Sequence, residues 1–329
     1  MPLESFSTNE LTPAVAKEVE AFIDSQDCGH PFQFPEWSDS GATVTLLREQ
    51  GRILWLATYS IYAPLGWKIP WIRAAEVNRG PVCDDAELWA KTTEEFAETM
   101  KQHGVTYVEV VPERVRQLDA PSLFSDNSGW ASCTPQRASL RLNLSSSEDE
   151  IFANFKKTAR YEVRYAERLG AEVCASANVA EVEDFLRIHE SLAVRKGFSA
   201  DPPERLRRQI EWLMTNKSRG ALLVARVNKE VCGGIMIARA GRRCWYVRGA
   251  TNREQPVDVG RILQWRALQW AKSRGCLEYD FGGYAPGAKS GPGWFKAGFG
   301  GTTVYFETSS RRVLRPGTYR AFRLLSEIF

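Results

Sequence analysis

Along this 329-residue chain the apolar positions change period repeatedly, and each change predicts an element. Thr12 followed by Pro13 starts a helix that runs to about Ser25. His30 to Trp37, HPFQFPEW, reads as an aromatic loop. Thr43–Glu49 and Arg52–Tyr62 alternate around a Gln50-Gly51 turn and predict a hairpin. A further short strand ends in Arg79–Asp84, RGPVCD. Asp84 or Asp85 then caps a helix closing at Gly104, and Val105–Val111 is an apolar strand. Pro112–Gln136, with Pro112, Pro121 and Pro135, reads as a surface crossing.

Ser139–Leu144 alternates like a strand. Ser147 with Glu150 forms a capping box that opens a helical region reaching Gly170, and Ala171–Ala175 is another strand. Val179–Lys196 places Val182, Phe185, Leu186, His189, Leu192 and Ala193 on one helical face, which reads His189 as a core residue. Pro203 opens a helix through Leu206, Ile210 and Leu213. Strands Ala221–Val227, Val231–Ala240 and Arg243–Ala250 follow, then a helix from about Val259 to Gly275 and a strand Cys276–Phe281. Thr302–Thr308 is a last strand, and the basic tail from Arg311 is helical at its end.

One order of elements occurs twice, at 43–111 and 221–281: antiparallel strands, a helix ending in Gly, then one apolar strand. That is an α+β arrangement with one parallel crossover in each half. The length agrees with two domains. After the Cys276 strand, Tyr279–Gly301 reads YDFGGYAPGAKSGPGWFKAGFGG, a loop rich in Gly and Pro with Lys289 and Lys296. No acidic residue lies between Asp280 and Glu307. Glycine lets backbone approach a ligand closely and present N–H groups to an anion. The competing reading is a solvated connection with two incidental lysines.

A net charge of +3 allows a local basic patch but not wholesale coating by nucleic acid. The N-terminus carries Glu4, Glu10 and Glu18 and lacks the basic region of a secretory signal. No stretch reaches the ~18 apolar residues of a membrane span, and a cytoplasmic protein is expected. The seven cysteines are scattered without C-x-x-C spacing, and His30, His103 and His189 have no ligand-spaced neighbours. Reduced, buried thiols and no metal or cofactor are expected.

This order is that of the GNAT acyltransferases, and several stretches resemble the FemABX family, the aminoacyl-tRNA-dependent peptidyltransferases. They are HPFQFPEW, RGPV, FKKTARYEVRYAERLGAEV (Phe155 to Val173), WYVRGA (Trp245 to Ala250), LQWRALQWAKSRGCLEYDFGG (Leu263 to Gly283) and FKAGFGG (Phe295 to Gly301). The resemblance implies two tandem GNAT-like domains with mixed sheets flanked by helices. Residues 1–138 with 312–329 would form the first and 139–311 the second. No run shows the sustained heptads of a coiled-coil arm.

The implied activity is transfer of an aminoacyl group from aminoacyl-tRNA to an amine acceptor. That acceptor is a peptidoglycan precursor peptide, which can be nucleotide-linked, or a peptide or natural-product intermediate. Whether the chain acts as a monomer is left open by the sequence. By resemblance Lys296 steadies the tRNA 3′ end, Phe295 shapes the reacting centre, and Tyr246 lies near the acceptor, with Gly282 and Gly283 lining the site. Arg248, two residues after Tyr246 and so on the same strand face, would bind an anionic acceptor group. Arg195, in VRKGF, is a further candidate for acceptor binding, and Trp37 a candidate substrate-binding residue. Lys156, Lys157, Arg160, Arg164 and Arg168 form a basic stripe, either a phosphate contact or a solvated face compensated by Glu162 and Glu167. The family's Asp before Pro is Val111 here, with Glu109 on the same face. The lysine that follows PEW to grip a nucleotide-linked precursor is absent from Ser38–Gly41, SDSG, so a small peptide or natural-product intermediate is a credible acceptor beside a peptidoglycan precursor. Two rivals stand beside this reading: an acyl-CoA GNAT N-acyltransferase and a non-catalytic binding module. Of the Q/R-x-x-G-x-G/A loop that cradles CoA pyrophosphate, PVDVGRILQW keeps Gly260 alone.

Overall fold

The computed structural model describes residues 2–38, 41–66, 69–116, 124, 129–252 and 257–326. The chain divides into two compact units, Met1–Arg137 with Tyr305–Phe329, and Ala138–Val304.

In the first unit, β1 (Glu4–Ser7), α1 (Pro13–Ser25), β2 (Thr43–Glu49), β3 (Arg52–Tyr62) and β4 (Ala74–Asn78) precede α2 (Ala86–Gln102), β5 (Tyr107–Val111) and β6 (Trp130–Ser132). HPFQFPEW folds as two 3-10 turns, Pro31–Gln33 and Pro35–Trp37. Thr12 caps α1 and Asp85 caps α2, each side chain accepting a first-turn N–H. Such caps contribute about 1 kcal/mol each. β2, β3 and β4 are antiparallel, and β5 returns parallel to β4 after α2. Trp55, Trp89, Phe96, Met100, Val108 and Val110 fill the space between this sheet and α2.

The second unit begins with β7 (Ala138–Asn143), α3 (Glu148–Ala153), α4 (Lys157–Arg168), β8 (Glu172–Ala175), α5 (Val179–Lys196) and α6 (Pro203–Thr215). It continues through β9 (Gly220–Val227), β10 (Glu230–Ala240), β11 (Arg243–Thr251), α7 (Gly260–Ser273), β12 (Glu278–Gly283), α8 (Gly291–Ala297) and β13 (Thr302–Tyr305). The sheet runs β13-β7-β12-β11-β10-β9-β8. β11 and β12 are a parallel pair, so the order seen at 74–111 recurs at 243–283. α4 and α7 cover one face through Phe155, Val163, Ile262, Leu263 and Leu268. α5 approaches the opposite face, with the Phe185 ring against Gly234. The chain then re-enters the first sheet as β14 (Ser310–Val313), between β5 and β6, and ends in α9 (Pro316–Leu325).

Three local readings of the sequence change. The capping box at Ser147 and Glu150 is formed, but the helical region it opens is two helices, because the chain turns at Asn154–Lys156. The Gly- and Pro-rich loop contains α8, with Pro292 in its first turn, where a missing N–H removes no helical bond. Lys296 therefore stands on a helix. Cys174 is exposed, while Cys28, Cys83, Cys232, Cys244 and Cys276 are buried thiols. Residues 117–123 and 125–128 of the expected surface crossing, and Asp39 and Ser40 after PEW, lie outside the described residues.

Candidate active site

β12 delivers the site. Its Asp280 is buried and ion-paired to Arg141 of β7 at 2.9 Å. The same carboxylate accepts the Gly282 N–H at 2.8 Å and touches the Ser139 hydroxyl, which also lies 2.9 Å from the Gly282 carbonyl. Gly282 has φ +69°, and a Cβ there would lie 3.3 Å from the Tyr246 carbonyl. The strand end is thus pinned by a buried salt bridge and turned by a glycine.

α8 brings Lys296 back over this turn. Lys296 is buried, 8% exposed, and its Nζ donates to the Gly283 carbonyl at 2.6 Å. The ammonium also lies 5.7 Å from the centroid of the Tyr246 ring, a cation–π distance. Burial pushes the Tyr246 phenol up to about 12, with Arg248 pulling the other way, so it is a hydrogen-bond donor at neutral pH and not a base. The phenol lies over Gly249: a Cβ at that position would meet Tyr246 Oη at 2.6 Å.

Phe295 faces the start of α7. Its ring lies over Gly260, and the guanidinium carbon of Arg261 sits 4.3 Å from its centroid and 4.9 Å from that of Phe299. Arg261 is 1% exposed, donates to the Phe295 carbonyl, and pairs with Glu162 of α4 at 3.0 Å. The guanidinium fits because position 298 is glycine; a Cβ there would fall 2.2 Å from Arg261 Nη1. Burial lowers the Arg261 pKa, and Glu162 opposes it. In the sequence the only hint of this support was an arginine inside the apolar run VGRILQW.

The first N–H of α7, that of Gly260, is taken by Asp258 Oδ1 at 2.9 Å. A carboxylate here complements the helix dipole. It also puts negative charge where an acyl-CoA enzyme of this fold would seat pyrophosphate.

Lys296, Phe295, Tyr246, Gly282 and Gly283 therefore come together in the second unit, while Arg248 does not join Tyr246. Tyr246 pairs with Ile237 and Arg248 with Met236, so Val247 is bulged out. Cross-strand partners share a face, and Ile237 and Met236 face opposite ways; the bulge reverses the expected same-face spacing. Arg248 instead binds Asp201 through two hydrogen bonds. The buried His189 lies beside this pair, between Phe185 and Phe198. Arg195 is exposed in the last turn of α5. Arg160 turns back onto the Ala153 and Phe155 carbonyls at the end of α3, and Arg164 lies over the Phe152 ring at 5.4 Å. In the first unit, Trp37 is buried and stacked on Phe32, while Glu109 is paired with Arg311 of β14.

Residues 153–291 match the acetyltransferase (GNAT) domain family. No curated protein matches the chain. Among solved structures, FemX superposes with a TM-score of 0.76 at 15% identity, covering 97% of this chain and 99% of FemX. L-PGS from Bacillus licheniformis gives 0.59 at 12% identity, covering 94% and 96%. A tandem GNAT protein from the clavulanic acid biosynthesis pathway gives 0.55 at 11%, covering 95% and 99%. The chain is a tandem GNAT-fold protein. By fold it resembles FemX, and the family match over residues 153–291 and the fold together support an acyltransferase-type activity. Among the described residues no helix is long and apolar enough to cross a membrane.

Proposed function

We propose that the chain forms a peptide bond by transferring an aminoacyl group from aminoacyl-tRNA to an amine acceptor. The observation that carries this reading is the buried ammonium of Lys296, fixed on the Gly283 carbonyl and over the Tyr246 ring. A cation so placed binds a phosphate or steadies an oxygen that gains negative charge. In the reaction the acceptor nitrogen attacks the ester carbon, the C–N bond forms, and the C–O bond to the terminal ribose breaks. The amine proton leaves to solvent and the ribose hydroxyl regains one.

The ester is already activated, so no covalent enzyme intermediate is required. Alignment of amine and ester can contribute ~7 kcal/mol or more, against about 3 kcal/mol for one oxyanion donor. Positioning carries the larger share, and the rigid setting of Phe295 on Arg261 suits that task. Asp258 on the first N–H of α7 weighs against acyl-CoA as donor, since pyrophosphate there would meet a carboxylate. Incubating the protein with a panel of charged tRNAs and candidate peptide or nucleotide-linked amines, with mass spectrometry of the products, tests the reading. A new amide from a charged tRNA is the expected result; amide formed only from acyl-CoA overturns it.

A further inference from the structure

We propose that the outward face of α4 is a stacking platform for the unpaired 3′ nucleotides of the RNA donor, an inference that rests on the aminoacyl-RNA reading above. Ala159, Val163 and Ala166 form the buried stripe of this helix. Lys157, Tyr161, Arg164, Tyr165 and Arg168 form the face opposite, all exposed. Tyr161 and Tyr165, at 59% and 41% exposure, stack on each other with centroids 5.8 Å apart and planes 15° from parallel. The Arg168 guanidinium carbon lies 6.0 and 5.8 Å from the two rings.

Charge on this face is not balanced by the acids of the same helix. Glu162 turns sideways onto Arg261 at 3.0 Å, and Glu167 onto Arg266 at 3.1 Å. The solvated-face reading counted both as compensating the basic stripe. With both engaged by α7, the outer surface presents cations and aromatic rings together, the combination that binds single-stranded nucleic acid without regard to sequence.

The position agrees. Among the described residues of the second unit, the exposed tyrosines and tryptophans are Tyr161, Tyr165 and Trp294. Trp294 stands two residues before Lys296, and its ring is 5.5 Å from the same Arg261 that holds Glu162. The Lys156 N–H donates to the Gly298 carbonyl at 2.9 Å, so α4 begins against the FKAGFGG segment. At about 1.5 Å per residue the two tyrosines lie about 8 and about 14 Å along the axis from that junction. At about 3.4 Å per stacked nucleotide, the farther distance is roughly four nucleotides. An unpaired end of that length reaches from the platform to the site.

The test is fluorescence anisotropy of the full chain with two labelled RNA hairpins, one with a four-nucleotide 3′ overhang and one blunt. Wild type is expected to prefer the overhang. Tyr161→Ala with Tyr165→Ala is expected to remove that preference, weakening overhang binding about tenfold or more. Tyr161→Phe with Tyr165→Phe keeps the rings and the preference. Arg164→Gln with Arg168→Gln should make the salt dependence of binding shallower by one to two units of slope, at about one per phosphate contact. Both tyrosines are exposed, and matched melting temperatures confirm that the variants fold. The proposal is overturned if the alanine variant keeps the overhang preference, if the phenylalanine variant loses it equally, or if acetyl-CoA binds these rings more tightly than the RNA. Product formation from charged tRNA by wild type is scored separately. An amide with a tyrosine-independent preference sinks the platform alone, whereas a tyrosine-dependent preference without any amide sinks the transfer reading alone.

Discussion

The Nζ of Lys296 lies 2.6 Å from the main-chain oxygen of Gly283. This carbonyl partner fixes the ammonium in place beside the Gly282 turn. Lys296→Ala is expected to lower kcat for aminoacyl transfer by about 10²- to 10³-fold, the range seen when one preorganised electrostatic donor is removed. Gly283 is exposed, so its carbonyl takes water instead and the melting temperature changes little. Steady-state kinetics beside thermal melts check both halves, and an unchanged kcat removes Lys296 from the mechanism.

Gly249 sets where the Tyr246 ring can lie. Gly249→Ala would bring a methyl group to 2.6 Å from Tyr246 Oη and 2.8 Å from Ile235 Cγ2, so the ring must move. Overpacking of this kind costs about 1–3 kcal/mol. Activity should fall further than that destabilisation explains, because the displaced ring also faces Lys296. Pairing Gly249→Ala with Tyr246→Ala measures this: the double variant should lose no more activity than Tyr246→Ala alone.

Arg261 separates stability from activity. Arg261→Ala leaves a void among Phe295, Phe299 and Glu162 and should destabilise the second unit by about 3 kcal/mol. Arg261→Met fills most of that volume, and Glu162 is exposed enough to take water, so urea unfolding should show a cost of about 1 kcal/mol or less. Both variants lose the bond to the Phe295 carbonyl, and both should lose transfer activity. Full activity in Arg261→Met would show that Phe295 does not depend on this support.

Acid sensitivity should trace to the His189–Asp201–Arg248 group. Burial lowers the His189 pKa; Asp201 opposes this and Arg248 adds to it. The unfolded chain then binds a proton near pH 6.5 that the folded chain refuses, so stability is full above about 6.5 and falls as the pH drops toward the folded value. For Asp201, burial raises the pKa, but the bond and charge of Arg248 outweigh it and the net shift is downward. Its contribution is present above about pH 3.9 and lost below, as the pH falls through the folded pKa. Urea unfolding from pH 7 to 5 should show a smaller loss in His189→Phe than in wild type. An identical slope would place the sensitivity elsewhere.

Much of the architecture could be read from local chemistry. Caps at Thr12, Asp85 and Ser147 and the alternation of 43–62 mark elements that stand in the structure. The parallel pairs β4–β5 and β11–β12 follow the repeated order of elements. What escaped was set by tertiary contact. α8 lies under a glycine- and proline-rich sequence that local propensity assigns to a loop. The bulge at Val247 is invisible to a two-residue period, and it alone moves Arg248 to the other face. Asp258 and Arg261 carried no motif; their roles appear only where α7, α4 and α8 meet.

β14 lies inside the first sheet, with β5 on one side and β6 on the other. That sheet therefore cannot close until residue 313 has been synthesised, whereas the second unit is one continuous segment ending at Val304. During translation the unit encoded later, Ala138–Val304, matures first, and the unit begun earlier waits for its missing strand with an open, pairing-competent edge.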